Sequence, residues 1–220
     1  MRQLILCADD FAANASASRG IAALAGAGRI SATSVMVLSP RWAGDAALLQ
    51  AMRGQIDVGL HLDWTSAFAR TAGHGVSLAS AMRQAVLGGF DRVAARAVIE
   101  RQLDAFEAVW KSPPDHIDGH QHVQQFAGIR EALVAAVQHR FATKNVAYFR
   151  LSTGLKADKS IKTRIISGMG APACWTTCLA RSESAALVRP PSTMGSLGGF
   201  TLCVFSCCCF HGHFLHLIRL

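Results

Sequence analysis

The sequence alternates short apolar runs with longer segments of helical period, and this alternation is the strongest constraint on the fold. Apolar or β-branched runs at residues 4–8, 31–38, 56–62, 116–118 and 146–151 are predicted strands. Strands that alternate with helices form parallel sheets covered by those helices. Because no glycine-rich dinucleotide fingerprint follows the first run, the sequence predicts an α/β fold, an incomplete or irregular (β/α) TIM-like barrel.

The segments between the predicted strands supply the helices. The spacing of apolar residues predicts helices over residues 15–28, 42–52, 78–87, 92–110, 129–141 and 159–167. Residues 64–77 are polar and contain glycine, and we interpret them as a loop over the site. Together these elements predict one barrel domain over residues 1–172.

Polar side chains stand where three of the predicted strands end. Asp9 and Asp10 follow the first strand, His61 lies near the end of the third, and Asp118 and His120 close the fourth. In a parallel β/α barrel the residues at the carboxyl ends of the strands share one face of the molecule, and active sites lie there. We therefore expect these side chains to form one site.

The residue types at these strand ends are typical of a metal-dependent hydrolase. Imidazole and carboxylate groups bind divalent ions such as zinc, and two histidines with one aspartate leave positions open for water and substrate. His120 and His122 are expected to project from the same side of an extended segment. Two alternatives stay open. One aspartate of the Asp9–Asp10 pair can instead cap the following helix or turn, and His61 can be a core histidine with no ligand role.

Charge and hydropathy limit the partners that we expect. The formal net charge is +8, but the basic residues are scattered along helical segments, so no nucleic-acid partner is predicted. The first apolar run is too short for a signal peptide, and no run of membrane-spanning length occurs in the first 170 residues. The sequence thus predicts a cytoplasmic protein with no stable membrane insertion.

Four stretches of the chain, in their order and spacing, resemble the YdjC-like carbohydrate deacetylases, which include chitooligosaccharide deacetylases and relatives associated with hopanoid biosynthesis. They are residues 8–11 (ADDF), 31–37 (SATSVMV), 58–62 (VGLHL) and 116–123 (HIDGHQHV), and the resemblance covers about residues 2–172. It implies an irregular β/α barrel that removes acetyl groups from N-acetylated carbohydrates. It also implies a divalent metal ion as cofactor, Mg²⁺ or Zn²⁺. A homodimer is left open as the assembly.

The resemblance implies a role for each of the residues that match its motifs. Asp10, His61 and His120 would be the metal ligands. Asp9 would be the general base that acts on the metal-bound water.

Three further residues are implied near this centre. Arg150 matches an arginine that would serve catalysis by holding the base ionised, and an ion pair at the surface is the alternative interpretation. Asp118 and His122 are interpreted as partners that orient the metal ligands.

The chain departs from the family pattern at three places. Ala12 stands where the family usually has glycine, and Gln124 stands where it usually has a further histidine. A late His-Pro motif, whose histidine would act as the acid, has no counterpart after Pro172. The alternative function is therefore an inactive or vestigial sugar-binding protein that retains the metal pocket.

Residues 173–220 differ in composition from the rest of the chain. They contain a single acidic residue, Glu183, and every cysteine except Cys7. We interpret this tail as an altered reading frame or a truncated gene product. A membrane-associating tail over residues 197–210 and a metal-binding tail around residues 207–216 are the alternatives, although the apolar run is shorter than the roughly 20 residues that a bilayer needs.

An incomplete barrel has consequences for stability. Missing strands leave a sheet edge and apolar strand faces uncovered, and both favour aggregation or association. We therefore expect this chain to bind metal weakly or to fold poorly.

Overall fold

The computed structural model describes residues 4–141, 148–151 and 202–204. Within these ranges the strands are β1 (Leu4–Phe11), β2 (Ala32–Val35), β3 (Asp57–Leu62), β4 (His116–Gly119), β5 (Tyr148–Phe149) and β6 (Leu202–Val204). They form one sheet in the order β5-β4-β3-β2-β1-β6. All of its neighbouring strands run parallel.

The helices connect these strands. They are α1 (Ala15–Gly26), α2 (Trp42–Asp45), α3 (Ala47–Gln50), α4 (Ala67–Thr71), α5 (Leu78–Val86), α6 (Arg92–Trp110) and α7 (Ile129–Phe141), with a 3₁₀ segment over His120–Gln125. Side-chain caps fix where α1 and α6 begin, because they pair N–H groups that a helix leaves free. Asn14 Oδ1 accepts from Ala17 N at 2.9 Å, and Asp91 Oδ1 accepts from Ala94 N at 2.7 Å.

The central strands are buried on both of their faces. Every residue of β2, β3 and β4 is buried, as parallel strands are when other elements cover the sheet on either side. Helix α6 buries Val98, Leu103 and Phe106, the stripe that its spacing predicts, whereas Val109 is only partly buried. Among the described residues, no helix combines the length and the apolar character needed to span a membrane.

Trp42 joins three elements of the core. Its ring stacks on Phe106 of α6 with the centroids 5.8 Å apart, and it meets Phe11 of β1 edge-on at 6.4 Å. The indole Nε1 donates a hydrogen bond to the Ala105 carbonyl at 3.3 Å. A buried tryptophan usually needs such an acceptor, so this contact fixes α2 between the sheet and α6.

The architecture confirms the predicted α/β class and an incomplete barrel. Strands β5 and β6 stand at opposite ends of the described sheet, which is not closed. The sequence did not predict β6, which pairs with β1 in the register Leu4↔Leu202, Ile5↔Cys203 and Leu6↔Val204. β1 thus pairs with β6 over Leu4–Leu6 and with β2 from Cys7 onward.

Two local predictions are wrong. Residues 42–52 form two short helices rather than one, because Leu49 N bonds to Ala46 O and Met52 N to Leu49 O, which are tighter three-residue turns. The segment 64–77 is not all loop, because Ser66 Oγ caps α4 within it. The predicted helix over 159–167 lies outside the described residues.

Gly59 of β3 lies against the imidazole of His116 in β4. A Cβ at residue 59 would stand 2.3 Å from His116 Nε2, which is well inside van der Waals contact. We expect Gly59→Ala to lower the free energy of unfolding by about 1–3 kcal/mol, the range for overpacked cores. Urea denaturation of the purified chain measures the change.

Gly20→Ala is the matched control. Gly20 lies in α1 with no atom within 4 Å of an added Cβ, so alanine should raise the free energy of unfolding by about 0.5–1 kcal/mol. Equal stability of the Gly59→Ala variant and the unchanged chain would contradict the packing of β3 against β4.

Candidate metal centre

The polar side chains that the sequence places at strand ends lie together in the structure. Asp9 and Asp10 belong to β1, His61 to β3 and Asp118 to β4, and His120 begins the 3₁₀ segment. The parallel register sets His61 opposite Asp118, so the two side chains leave the sheet on the same face. The site is thus built at the carboxyl end of the sheet.

The three residues interpreted as metal ligands converge on one point. Asp10 Oδ1 lies 3.2 Å from His61 Nε2 and 3.0 Å from His120 Nδ1. Their ligand atoms all lie within 4.8 Å of one another. Burial would raise the pKa of Asp10, but the hydrogen bonds from His120 and His61 lower it well below its usual range. Asp10 is therefore an anion that faces two imidazole nitrogens.

This donor set fits a divalent metal ion. Two imidazole nitrogens and one carboxylate oxygen suit zinc, and they leave positions for water and substrate. His61 is buried, whereas Asp10 and His120 are partly exposed. One side of the centre is thus accessible. The role of these residues as ligands stays a prediction.

A bend in β1 turns both of its aspartates towards the site. Consecutive strand residues normally point to opposite faces, but the register of β1 with β2 shifts between Ala8 and Phe11. Asp10 has φ 63° and Ala12 has φ 71°. Asp10 thus reaches the histidines while Asp9 approaches Arg150. The alternative that an aspartate of this pair caps the following helix does not hold, because Asn14 caps α1.

The left-handed turn at Ala12 is held by buried hydroxyl groups. Ala12 N donates to Ser18 Oγ at 3.1 Å, and Ser39 Oγ donates to Ala12 O at 2.6 Å. Ser18 Oγ in turn donates to Asp45 Oδ2 at 2.5 Å. The backbone conformation at Ala12 is one that glycine adopts without strain and alanine does not, which is the physical reason for the glycine expected there.

Asp118 holds His61 in the orientation that a metal ligand needs. His61 Nδ1 lies 2.6 Å from Asp118 Oδ1 and 3.1 Å from Ser34 Oγ. Burial lowers the pKa of His61, but the charge of Asp118 and the hydrogen bonds with Asp10 and Asp118 raise it well above its usual value. Both ring nitrogens therefore donate, Nδ1 to Asp118 and Nε2 to Asp10, and an ion held by Nε2 would take the place of the second proton. His61 thus lies between two carboxylates, and its role as a metal ligand stays a prediction. Asp118 occupies the position of an orienting partner.

Ser34 is a site residue that the sequence analysis missed. Its Oγ lies 3.2 Å from Asp9 Oδ1 as well as 3.1 Å from His61 Nδ1. Ser34 thus bridges the Asp9 carboxylate and the His61 imidazole. The only signal in the sequence is a hydroxyl residue within the β-branched run of β2. Such a residue is common in strands, and its partners come from other strands.

Arg150 lies inside the site and not on the surface. Its Nε donates to Asp118 Oδ2 at 2.7 Å, and its Nη2 contacts both Asp118 Oδ2 and Asp9 Oδ1. Only 11% of its side chain is exposed. Gln124 Nε2 donates to the Arg150 carbonyl at 2.9 Å, so the glutamine found in place of a histidine supports the backbone that carries Arg150.

The two buried carboxylates next to Arg150 differ in their electrostatics. Burial raises the pKa of Asp9, and the nearby charge of Asp118 adds to the rise. Burial acts in the same direction on Asp118, but there the charges of Arg150 and His61 outweigh it and lower the pKa. Asp9 is therefore the more basic of the pair, which suits a proton acceptor.

One geometric expectation is wrong. His120 and His122 do not project from the same side of an extended segment, because the chain enters a 3₁₀ turn after Gly119. Gln121 and His122 there have φ of 54° and 63°. His122 is partly buried, and its role as an orienting partner stays a prediction.

Fold and site define an α/β protein with a histidine–carboxylate centre at the carboxyl ends of its strands. The sequence profile of the YdjC-like protein family matches residues 3–191. The chain therefore belongs to the YdjC-like family. The match extends beyond residue 172, where the motif resemblance was expected to end.

Two similar proteins bear the name carbohydrate deacetylase. The one from Mus musculus is 28% identical over 207 residues, which is 88% of this chain and 62% of that protein. The one from Homo sapiens is 30% identical over 209 residues, which is 88% of this chain and 60% of that protein. The chain thus spans about three fifths of the length of these relatives.

A solved structure supports the fold alone. The crystal structure of a candidate cellobiose-phosphate cleavage protein from Enterococcus faecalis V583 has a TM-score of 0.56 with this chain. The two are 19% identical, and the match covers 74% of this chain and 62% of the other.

Ser18→Ala tests the hydroxyl network that holds the turn after Asp10. The substitution leaves the buried Ala12 N–H without an acceptor and removes the donor to Asp45. We expect the free energy of unfolding to fall by about 1–3 kcal/mol, the penalty for a buried unpaired group. Urea denaturation measures it.

Ser16→Ala, an exposed position of the same helix, is the control. It should change the free energy of unfolding by no more than about 0.5 kcal/mol. Equal effects of the two substitutions would show that the Ser18 hydroxyl does not hold the turn.

Proposed function

We propose that this chain is a metal-dependent hydrolase that removes acetyl groups from N-acetylated sugars or oligosaccharides. The observation that carries the proposal is the convergence of Asp10, His61 and His120 beside the carboxylate of Asp9. Membership of the YdjC-like family and similarity to two proteins named carbohydrate deacetylase support the choice of substrate.

Asp10, His61 and His120 would hold the ion, Mg²⁺ or Zn²⁺. When bound, such an ion supplies positive charge that favours hydroxide over water and polarises an amide carbonyl. The protein's own side chains orient the ligands and accept the proton. Asp118 accepts from Nδ1–H of His61, which would leave Nε2 as the nitrogen that holds the ion.

Asp9 is the proposed general base. Its raised pKa and its position beside the ligand set allow it to accept a proton from the attacking water. Ser34 Oγ and Arg150 Nη2 both contact Asp9 Oδ1, so they fix the carboxylate. The proton acceptor is then the other oxygen, Oδ2.

Sugar binding without turnover is the second candidate. The observation that favours it is the contact of Arg150 with both Asp9 and Asp118, because a carboxylate held by an arginine is a weaker base. The two candidates predict the same metal site and differ in whether acetate is released.

Asp9→Asn separates base catalysis from binding. In an assay of acetate release from N-acetylated chitobiose with Mg²⁺ or Zn²⁺, the proposed hydrolase function predicts release by the unchanged chain. The variant should lose about 10²–10⁴-fold in kcat/KM, the range for a general base. Asp104→Asn, at an exposed position of α6, should keep full activity. If the unchanged chain releases no acetate when it is saturated with metal, the result favours the sugar-binding candidate.

His61→Ala tests the ligand set independently of turnover. Removing Nε2 takes away one of three donors, so the affinity for Mn²⁺, a hard ion that avoids thiol ligands, should fall at least tenfold. Calorimetric titration measures the affinity, again with Asp104→Asn as control. Unchanged Mn²⁺ affinity in a folded His61→Ala variant would exclude this residue as a ligand.

A further inference from the structure

A second group of metal-ligating side chains lies beside the candidate metal centre, deeper in the sheet. Cys7 of β1 and His116 and Asp118 of β4 are all buried, with at most 5% of each residue exposed. Their ligand atoms lie within 4.8 Å of one another. Neither Cys7 nor His116 has a part in the mechanism proposed above.

The distances around the Cys7 sulfur match those between ligands of a tetrahedral zinc ion. Cys7 Sγ lies 3.8 Å from His116 Nε2 and 3.6 Å from Asp9 Oδ1. Zinc bonds of about 2.3 Å to sulfur and 2.0–2.2 Å to nitrogen or oxygen put such ligand atoms about 3.6 Å apart. An ion could therefore enter without large shifts of these atoms.

The imidazole of His116 lacks a strong hydrogen bond. Among the described residues its buried Nδ1 has no hydrogen-bond partner, and its Nε2 faces the Cys7 sulfur. Tyr148 stacks on the ring at 5.3 Å, and Gly59 of β3 lies against it. A buried imidazole whose better partner is a thiol is uncommon, and coordination of an ion through Nε2 would replace this weak contact with the Cys7 sulfur.

We propose that Cys7, His116 and Asp118 form a second metal site, specific for thiophilic divalent ions such as Zn²⁺ or Cd²⁺. We call it the inner site. Thiolate ligands favour these ions over Mg²⁺ and Mn²⁺, so the two sites differ in the ion that they take. Asp9 Oδ1 is near enough to serve as the fourth ligand.

Occupation of the inner site has a consequence for the candidate metal centre. Asp118 Oδ1 holds His61, and Asp118 Oδ2 contacts Arg150. An ion that takes either oxygen weakens one of these contacts, and an ion bound by Asp9 blocks the proposed base. Excess Zn²⁺ should therefore inhibit hydrolysis where Mg²⁺ does not. Only this consequence rests on the proposed function, whereas the inner site itself does not.

Cadmium titration of the full chain tests the inner site. Cadmium–thiolate bonds give a charge-transfer absorption, which does not need enzyme activity. The six cysteines at 174, 178, 203, 207, 208 and 209 would contribute to it, so all six are replaced by serine in the reference protein. We expect one cadmium–thiolate bond per reference chain and two bound ions in total.

Three substitutions in that reference protein decide the outcome. Cys7→Ser should abolish the absorption and remove one of the two bound ions, and His116→Asn should weaken cadmium binding at the thiol at least tenfold. His61→Ala should keep the absorption and lose the other ion. Absorption that is absent from the reference protein, or that is equal before and after Cys7→Ser, overturns the proposal.

Folding of the variants is checked separately. Cys7→Ser is nearly isosteric, and a cooperative thermal transition in the metal-free variant shows that the loss of absorption is not a loss of structure. If Cys7→Ser unfolds the chain, Cys7→Ala replaces it, with the same two outcomes. Failure of acetate release with the cadmium–thiolate signal intact would count against the proposed function and not against the inner site.

Discussion

The carboxylate of Asp118 is the contact on which the rest of the site depends. One of its oxygens accepts from His61 Nδ1 at 2.6 Å, and the other accepts from Arg150 Nε at 2.7 Å. A buried charge is tolerated only when it is paired and hydrogen-bonded, and both conditions are met here. Through these contacts a single side chain of β4 orients a histidine of β3 and positions the arginine after β5.

A second constraint is the turn at the end of β1. Asp9 and Asp10 can serve one site only because the strand bends at Asp10, where φ is 63°, and the turn that follows has φ 71° at Ala12. An alanine in that conformation is under strain of roughly 1–2 kcal/mol. Buried hydroxyl groups on Ser18 and Ser39 hold both polar atoms of Ala12. These two hydrogen bonds therefore hold the strained backbone of Ala12 in place.

Much of the fold and of the candidate metal centre could be predicted from the sequence, because the carboxyl ends of parallel strands lie at the same edge of the sheet. The alternation of strands and helices predicts the sheet, and the polar residues at three strand ends predict the cluster of Asp10, His61 and His120. Helix α7 has the predicted bounds, since its apolar spacing is interrupted by no competing signal. These are features that local sequence determines.

Other features depend on contacts between distant segments and could not be predicted. Ser34 becomes a site residue only because β2 lies between β1 and β3. The geometry after Gly119 follows from left-handed conformations at Gln121 and His122, for which neither residue carries a strong local signal. The strand Leu202–Val204 pairs with β1 across almost the whole chain, a distance over which periodicity says nothing.

The central claim is that Asp10, His61 and His120 bind one divalent ion beside Asp9. A crystal of the chain grown with Mn²⁺ tests it most directly, through the anomalous difference density. The account predicts one strong peak within coordination distance of Asp10 Oδ1, His61 Nε2 and His120 Nδ1, with Asp118 still bonded to His61 Nδ1. A Mn²⁺ peak on other ligands, or none at saturating Mn²⁺, would contradict it.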